Sequence, residues 1–82
     1  MPSVQQLRYL IAVADHGNFS RAADACNVTQ PTLSMQLKEM ENRLGVQLVE
    51  RTRTKVLMTP VGSEIARRAR SVVAEVEDIR EI

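Results

Sequence analysis

Residues 20–45 read SRAADACNVTQPTLSMQLKEMENRLG, two helical patterns separated by a short turn. Ser20 is a favourable N-cap for a short helix over residues 21–26, in which three alanines allow close approach to a neighbouring helix. Asn27 tolerates a positive φ and can reverse the chain, and Thr29 can then cap a second helix. Two short helices joined by a three-residue turn are typical of a helix-turn-helix.

The second helix, residues 30–44, has one apolar and one polar face. Its large apolar residues recur every three or four positions, so they share the side that packs on the core. The opposite side is polar without being acidic, and the Gln30 amide can pair with both hydrogen-bonding groups of an adenine. Hydroxyl groups there can donate or accept, and apolar groups can pack on a thymine methyl. The predicted base-contacting residues are Gln30, Pro31, Thr32, Ser34, Met35 and Lys38.

Two runs rich in β-branched residues, 46–51 and 56–59, follow this helix and flank a basic tip. The pattern predicts a small antiparallel hairpin, the wing, whose basic side chains can hold the DNA backbone or enter a minor groove. Polar residues at the starts of the two short helices are expected near the phosphates as well. The predicted backbone and wing contacts are Ser20, Arg21, Thr29, Arg51, Arg53 and Lys55.

A further helix precedes this motif. Ser3 and Gln6 form a capping-box pattern at its start, and Gly17 can end it. Apolar residues at helical spacing indicate the side that faces the core. The predicted buried residues of this helix are Val4, Leu7, Leu10, Ile11 and Ala14.

A longer helix follows the wing. Thr59 and Pro60 begin it, and from there to Ile82 it would be about 34 Å long. A helix of that length cannot bury its whole apolar seam on so small a body, so we expect the seam to bind a second chain. The predicted dimer-interface residues are Val61, Ile65, Ala69, Val72, Val73, Val76 and Ile79.

The composition of the 82 residues argues against several classes of protein. No apolar run is long enough to span a bilayer and no signal-peptide pattern is present, so we expect no membrane association. A single cysteine fits a reducing cytoplasm. Paired carboxylates, a nucleophile beside a base and a glycine-rich phosphate loop are missing, which argues against an enzyme. His16 and Cys26 lack the neighbours that a metal site needs, and we expect no metal or cofactor.

The net charge of +1 conceals an uneven distribution of charge along the chain. Residues 51–70 contain six basic residues and one acidic residue, whereas residues 71–82 contain four acidic residues and one basic residue. A basic segment attracts phosphates. Two functions remain open: a sequence-specific DNA-binding module, or a protein-interaction domain in which the long helix is the working part. A steep loss of DNA affinity with rising salt is expected only of the first.

Two segments, residues 19–52 and 58–62, resemble the LysR-type transcriptional regulators, and the resemblance extends over essentially the whole chain. It implies a winged helix-turn-helix and a linker helix that forms a homodimer, usually within a tetramer of the full-length protein. It also implies operators that are interrupted palindromes and a C-terminal effector-sensing domain. Because the sequence ends inside a helical pattern, we expect a chain cut from a longer protein.

The resemblance also implies roles for individual residues. It places base contacts on Gln30, Pro31, Ser34 and position 35, and wing contacts on residues 51–55. Many members of the family have arginine at position 35, where this chain has Met35, so we expect unusual specificity to come from this residue. Within the family, the motifs ACxVxQPTLS and RTxxKVL resemble the peroxide-sensing, OxyR-like regulators.

Together these features predict a mainly α fold, a winged helix-turn-helix of three helices and a two-stranded β wing, followed by a long linker and dimerisation helix. We expect the DNA-binding domain in residues 1–59 and the linker helix in residues 60–82. The predicted partner is double-stranded DNA in the bacterial cytoplasm, with the helix over residues 30–44 in the major groove.

Overall fold

The computed structural model describes residues 2–53 and 55–82. These residues form, in chain order, α1 (Val4–His16), α2 (Phe19–Ala25), α3 (Gln30–Leu44), β1 (Val49–Arg51), β2 (Val56–Met58) and α4 (Pro60–Arg80). The architecture confirms the predicted mainly α winged helix-turn-helix with a long helix after the wing. Within the described ranges, no helix is long and apolar enough to cross a membrane.

α1 begins at the capping box that the sequence predicts. The Ser3 hydroxyl oxygen accepts the backbone N–H of Gln6 at 3.1 Å, and the Gln6 side-chain oxygen accepts the backbone N–H of Ser3 at 3.1 Å. The Gln6 amide also donates to Oε1 of Gln36 on α3 at 3.1 Å. One side chain therefore closes the first turn of α1 and ties this helix to α3.

The predicted buried side of α1 is only partly correct. Leu10 is fully buried, and Leu7 and Ala14 are partly buried against the core, but Val4 is exposed. α1 packs against α2, α3 and α4 together, so its buried surface is wider than one apolar stripe. The residues of α1 that are buried are Gln6, Tyr9, Leu10, Ala12 and Val13.

α2 begins before the predicted position. Asn18 is its N-cap, with Oδ1 accepting the backbone N–H of Arg21 at 2.9 Å, so the prediction of Ser20 as N-cap is wrong. Gly17 ends α1 in the left-handed conformation and Asn18 is already extended, which lets the new helix start at once. The predicted chain reversal at Asn27 is confirmed by its φ of 57°.

The wing is shorter than predicted. β1 and β2 form an antiparallel ladder of three residue pairs, whereas the sequence predicts strands over residues 46–51 and 56–59. Leu48 is opposite Thr59 in this register, but the two residues share only one hydrogen bond, because the N–H of Leu48 is bound elsewhere. Its N–H donates to a carboxylate oxygen of Glu41, and its carbonyl oxygen accepts the N–H of Thr59.

The core lies where α1, α3 and the first half of α4 meet. Its largest fully buried side chains are Leu10, Val13, Leu33, Leu37, Met40 and Leu48. α4 contributes small side chains, Ala66 and Ala69, which let it lie close to its neighbours. α1 and α4 run antiparallel, and their outer edges are joined by ion pairs from Asp15 to Arg70 and from Arg8 to Glu77.

Candidate nucleic-acid interface

The predicted reading residues of α3 lie on its outer side. Met35 is 61% exposed although it is apolar, whereas Leu33 and Leu37 on the inner side are fully buried and hold α3 on the core. An apolar side chain displayed in this way is available to pack on a ligand. The exposed or partly exposed set comprises Gln30, Pro31, Thr32, Ser34, Met35 and Lys38.

Thr29 holds the first turn of α3. Its hydroxyl oxygen accepts the backbone N–H of Thr32 at 3.3 Å, and the hydroxyl donates to the hydroxyl of Thr32 at 2.9 Å. Pro31 falls in this turn, where its missing N–H leaves no helical hydrogen bond unmade. The cap thus uses the Thr29 side chain, and a contact from Thr29 to the DNA backbone stays a prediction.

The wing stands beside the start of α3 and forms an open cleft of about 360 Å³ with it. Six of the predicted contact residues, far apart in the sequence, line this cleft: Ser20, Gln30, Ser34, Arg51, Arg53 and Lys55. A second cleft along α3 is lined by Pro31, Ser34, Met35, Lys38 and Arg51. Arg21 and Thr29 line neither cleft. We call the six outer residues of α3 together with Arg51, Arg53 and Lys55 the reading face.

Arg51 joins the two parts of the reading face. It lines both clefts, and its guanidinium lies 4.8 Å from the centre of the Phe19 ring at the start of α2. Such a cation–π contact restricts the side chain of an otherwise exposed arginine. Sequence reasoning assigned Phe19 no role, because nothing local shows that α2 and the wing meet.

The turn of the wing is closed by Thr52. Its backbone N–H and its hydroxyl both donate to the carbonyl oxygen of Lys55, at 2.9 and 2.7 Å, and its hydroxyl accepts the N–H of Lys55 at 3.0 Å. The side chains of Arg53 and Lys55 remain exposed at this tip. Thr54, which is part of the predicted wing range 51–55, lies outside the described residues.

Basic side chains divide into two groups by their partners. Within residues 2–53 and 55–82, five have no carboxylate within ion-pair distance: Arg21, Lys38, Arg51, Arg53 and Lys55. The other six are ion-paired: Arg8, Arg43, Arg67, Arg68, Arg70 and Arg80. Four of the first group lie on the reading face and the fifth, Arg21, is on α2. The positive charge available to a phosphate is therefore concentrated on one side of the molecule.

Hydrogen bonds from these arginines change the pKa values of their acidic partners on α1 and α4. Hydrogen bonds from Arg67 and Arg68 lower the pKa of Glu64 to about 2. A hydrogen bond from Arg70 lowers the pKa of Asp15 below its ordinary value. Arg67, Arg68 and Arg70 belong to the basic segment found in the sequence, and in the structure all three form ion pairs.

Glu41 connects α3 to the wing and was missed by sequence reasoning. Its carboxylate is buried, and Oε2 accepts the backbone N–H groups of Leu48 at 2.7 Å and Val49 at 3.3 Å. Among the described residues, Glu41 forms no ion pair with Lys38, which lies three positions earlier on the same helix. A buried carboxylate is stabilised here by two backbone donors instead.

α4 carries two different apolar surfaces. Ala69 is 2% exposed, so the chain's own fold covers its side chain, and Ala66 is buried in the same way. Val72 is 44% exposed and Ile79 is 66% exposed. The outer stripe of α4 consists of Val61, Val72 and Ile79, with the partly buried Ile65 and Val76 beside it. Val73 is also partly buried but lines a cleft with residues of α1.

Cys26 and His16 behave as ordinary structural residues. Burial raises the pKa of the Cys26 thiol, which disfavours the reactive thiolate at neutral pH. Among the described residues, no three histidine, cysteine or acidic side chains are grouped as a metal site requires.

Comparison with known proteins agrees with this geometry. The family described as bacterial regulatory helix-turn-helix protein, lysR family, matches residues 4–63. The DNA-binding transcriptional dual regulator OxyR of Escherichia coli K12 is 48% identical over 80 residues, which are 98% of this chain and 26% of that protein. The chain thus spans about a quarter of the length of such relatives.

Two solved structures show the same fold at this level of similarity. Full-length OxyR from Pseudomonas aeruginosa superposes with a TM-score of 0.93 at 41% identity, covering 99% of this chain and 28% of that one. A crystal structure of the BenM DBD in complex with benA site 1 DNA superposes with a TM-score of 0.89 at 34% identity, covering 96% of this chain and 89% of that one.

Proposed function

Because this chain belongs to the LysR family of bacterial regulatory helix-turn-helix proteins, we propose that its 82 residues bind double-stranded DNA sequence-specifically as the reading module of a transcription regulator. The family and the relatives compared above are transcription regulators and not enzymes. A relative of the same fold was solved in complex with DNA. The two-part division into residues 1–59 and 60–82 is part of this proposal.

One observation carries the proposal: of the five basic side chains without a carboxylate partner among the described residues, four lie on the reading face. We propose that α3 enters the major groove, where Gln30 pairs with an adenine and Met35 packs on a thymine methyl. Arg53 and Lys55 at the wing tip then contact the backbone or the adjacent minor groove. Ser20, Arg21 and Thr29 are proposed as further backbone contacts.

We propose that α4 joins two protomers. Its outer stripe stays exposed on a single chain, and a helix with one apolar stripe packs well against a copy of itself. The proposed interface is Val61, Ile65, Val72, Val73, Val76 and Ile79; Ala69 is omitted because its own chain covers it. A homodimer fits an interrupted palindromic operator, since each protomer reads one half-site. For the full-length protein the resemblance suggests a tetramer.

The similarity to OxyR supports a narrower proposal, that the whole protein is a peroxide-sensing regulator of the cytoplasm. A chimera in which this chain replaces the matching 80 residues of Escherichia coli OxyR tests the DNA-recognition part of this proposal, because the remainder of the chimera is the Escherichia coli protein. We expect hydrogen-peroxide-inducible expression from the promoters of that regulator to persist. A chimera that binds other DNA but leaves those promoters silent contradicts membership in this subgroup.

Selection from a random double-stranded DNA library, followed by titration at several salt concentrations, tests the main proposal. We expect a defined selected sequence and a linear fall of log K with log salt. If four or five basic groups of each protomer contact phosphates, the slope is about −4 per protomer. An interaction domain that does not use DNA shows no affinity for any duplex at low salt, and that result refutes the proposal.

A further inference from the structure

The backbone of Leu48 is bound from two sides. Its N–H donates to Oε2 of Glu41 in the last turns of α3 at 2.7 Å. Its carbonyl oxygen accepts the backbone N–H of Thr59, the N-cap of α4, at 3.1 Å. The Leu48 side chain is fully buried. The end of α3, the start of the wing and the start of α4 are therefore held together at the backbone of one residue, Leu48.

The first turn of α4 packs directly on the carbonyl group of Leu48. A Cβ added at Gly62 would lie 2.0 Å from the carbonyl oxygen of Leu48 and 2.8 Å from its carbonyl carbon. Both are backbone atoms, so no side-chain rotation can relieve the overlap. The Thr59 hydroxyl oxygen accepts the N–H of Gly62 at 2.9 Å, and the hydroxyl donates to the carbonyl oxygen of Gln47 at 2.7 Å. We call Leu48, Thr59 and Gly62 the α4 clamp.

The α4 clamp holds the first turn of a long helix, so a small change in the angle of α4 there displaces its far end by a large distance. α4 has 21 residues and is about 30 Å long, so a tilt of about 10° at its start moves its far end by about 5 Å. The rise per base pair in DNA is only about 3.4 Å. Beyond the clamp, the buried Ala66 and Ala69 pack the first half of α4 on its neighbours. Farther along, α4 is held to α1 by ion pairs to Arg8 and Asp15, whose side chains are about a third to a half exposed and contribute little.

We infer that the α4 clamp sets the spacing between half-sites that a dimer accepts, with Gly62 and Thr59 as its specificity-determining residues. The inference rests on the proposed function, because it needs DNA binding through α3 and pairing through α4. Base recognition and spacing are then set separately: the outer side of α3 reads each half-site, and the direction of α4 fixes how far apart the two copies of α3 lie.

Duplexes with altered spacing test the inference. The best sequence is selected from a random double-stranded DNA library with the wild-type chain, and the segment between its half-sites is then lengthened and shortened one base pair at a time. A duplex with one half-site measures reading alone. The variants are Gly62→Ala, which displaces α4 from Leu48, and Thr59→Val, with Thr59→Ser as the matched variant that keeps the hydroxyl.

For Gly62→Ala and Thr59→Val we expect the ratio of affinities between the best and the neighbouring spacings to fall about tenfold, or the best spacing to move by a base pair. Affinity for the single half-site should stay within about twofold of wild type, and Thr59→Ser should keep the wild-type ratio. Thermal unfolding verifies that each variant is folded.

An unchanged spacing preference in folded Gly62→Ala overturns the inference, and so does an equal loss of affinity on the half-site and on every full site. If Gly62→Ala does not fold, the Thr59 pair decides, and equal ratios for Thr59→Val and Thr59→Ser overturn it. A wild-type chain that selects no duplex refutes the proposed function itself, which separates that failure from this one.

Discussion

The reading face and the paired helices α1 and α4 carry similar numbers of basic side chains and use them in different ways. On α1 and α4, Arg8, Arg67, Arg68, Arg70 and Arg80 all have carboxylate partners. On the reading face, Lys38, Arg51, Arg53 and Lys55 have none among the described residues. The net charge of +1 is therefore a poor guide to how this molecule interacts with a polyanion. About half of its basic side chains are paired with carboxylates, and the others are available to contact phosphates.

The largest expected effect comes from the α4 side of this comparison. Val72→Asp places a charge in the outer stripe, where burial against a second protomer would be costly. We expect monomers in analytical ultracentrifugation and a loss of about a hundredfold in affinity for a full site, because the two half-sites are no longer linked.

Ala74→Asp is the control, since Ala74 is exposed on the opposite side of α4 and should leave the dimer intact. A dimer that survives Val72→Asp places the interface elsewhere on the molecule.

Gln30→Ala tests base recognition by the reading face. We expect a loss of about 1 to 3 kcal/mol in binding to the selected sequence and little change on random DNA, measured by fluorescence anisotropy. Gln36→Ala is a matched control on the same helix, because the partly buried Gln36 side chain accepts a hydrogen bond from Gln6 of α1. Equal loss on both kinds of DNA after Gln30→Ala argues that this amide is not a reader.

A comparison of Arg53→Ala with Arg67→Ala tests the difference between the unpaired and the ion-paired basic side chains directly. Removing Arg53 should weaken binding to every sequence and reduce the salt slope by about 0.9 per protomer, as expected for one lost phosphate contact. Arg67 is bound to Glu64 through two hydrogen bonds, so its removal should leave the slope unchanged. Salt titrations that change by the same amount for both variants contradict the division drawn above.

A double-mutant cycle between Phe19 and Arg51 gives a smaller effect. If the ring positions Arg51 for DNA, Phe19→Leu should weaken binding by about 0.5 to 1 kcal/mol and add nothing once Arg51 is alanine. Phe19→Tyr keeps the ring and should keep the affinity. Additive losses in the cycle show that Phe19 acts through stability instead, which thermal unfolding of each variant also reports.

The smallest effect concerns the ion pairs of α1 and α4. The pKa of Asp15 is lowered in the folded state by Arg70, so the pair contributes stability above the ordinary Asp pKa of 3.8 and loses it as pH falls below that value. Both side chains are about half exposed, so Asp15→Asn should cost under about 1 kcal/mol at neutral pH, and that cost should shrink at about pH 2. Urea denaturation at the two pH values measures this. A deficit of the same size in acid means that the mutation acts by another route.

Much of the fold could be predicted from short-range chemistry. Ser3 with Gln6, Thr29 and Thr59 all cap the helices that their spacing predicts, and the reversal at Asn27 is confirmed. α2 shows where such reasoning fails: Asn18 and Ser20 are comparable N-caps, and only the conformation of the chain leaving Gly17 selected the first.

The candidate site divides in the same way. The outer residues of α3 were predictable because helical periodicity separates them from Leu33 and Leu37 within one element. The contact of Arg51 with Phe19 was not predictable, because it joins the wing to α2, far away in the chain. The burial of Glu41 was not predictable either, because its hydrogen-bond partner Leu48 lies beyond the end of α3, where helical periodicity no longer applies.

The sequence by itself thus determined the helix-turn-helix, the limits of most helices and the residues that face outward on α3, since caps and periodicity act within one or two turns. Only the tertiary structure decided which cations keep their charge available, which side of α4 stays open and where α4 rests on Leu48. Those properties depend on which surfaces meet. The ion pair between Arg70 and Asp15, for example, joins residues that are far apart in the chain, so no local sequence pattern predicts it.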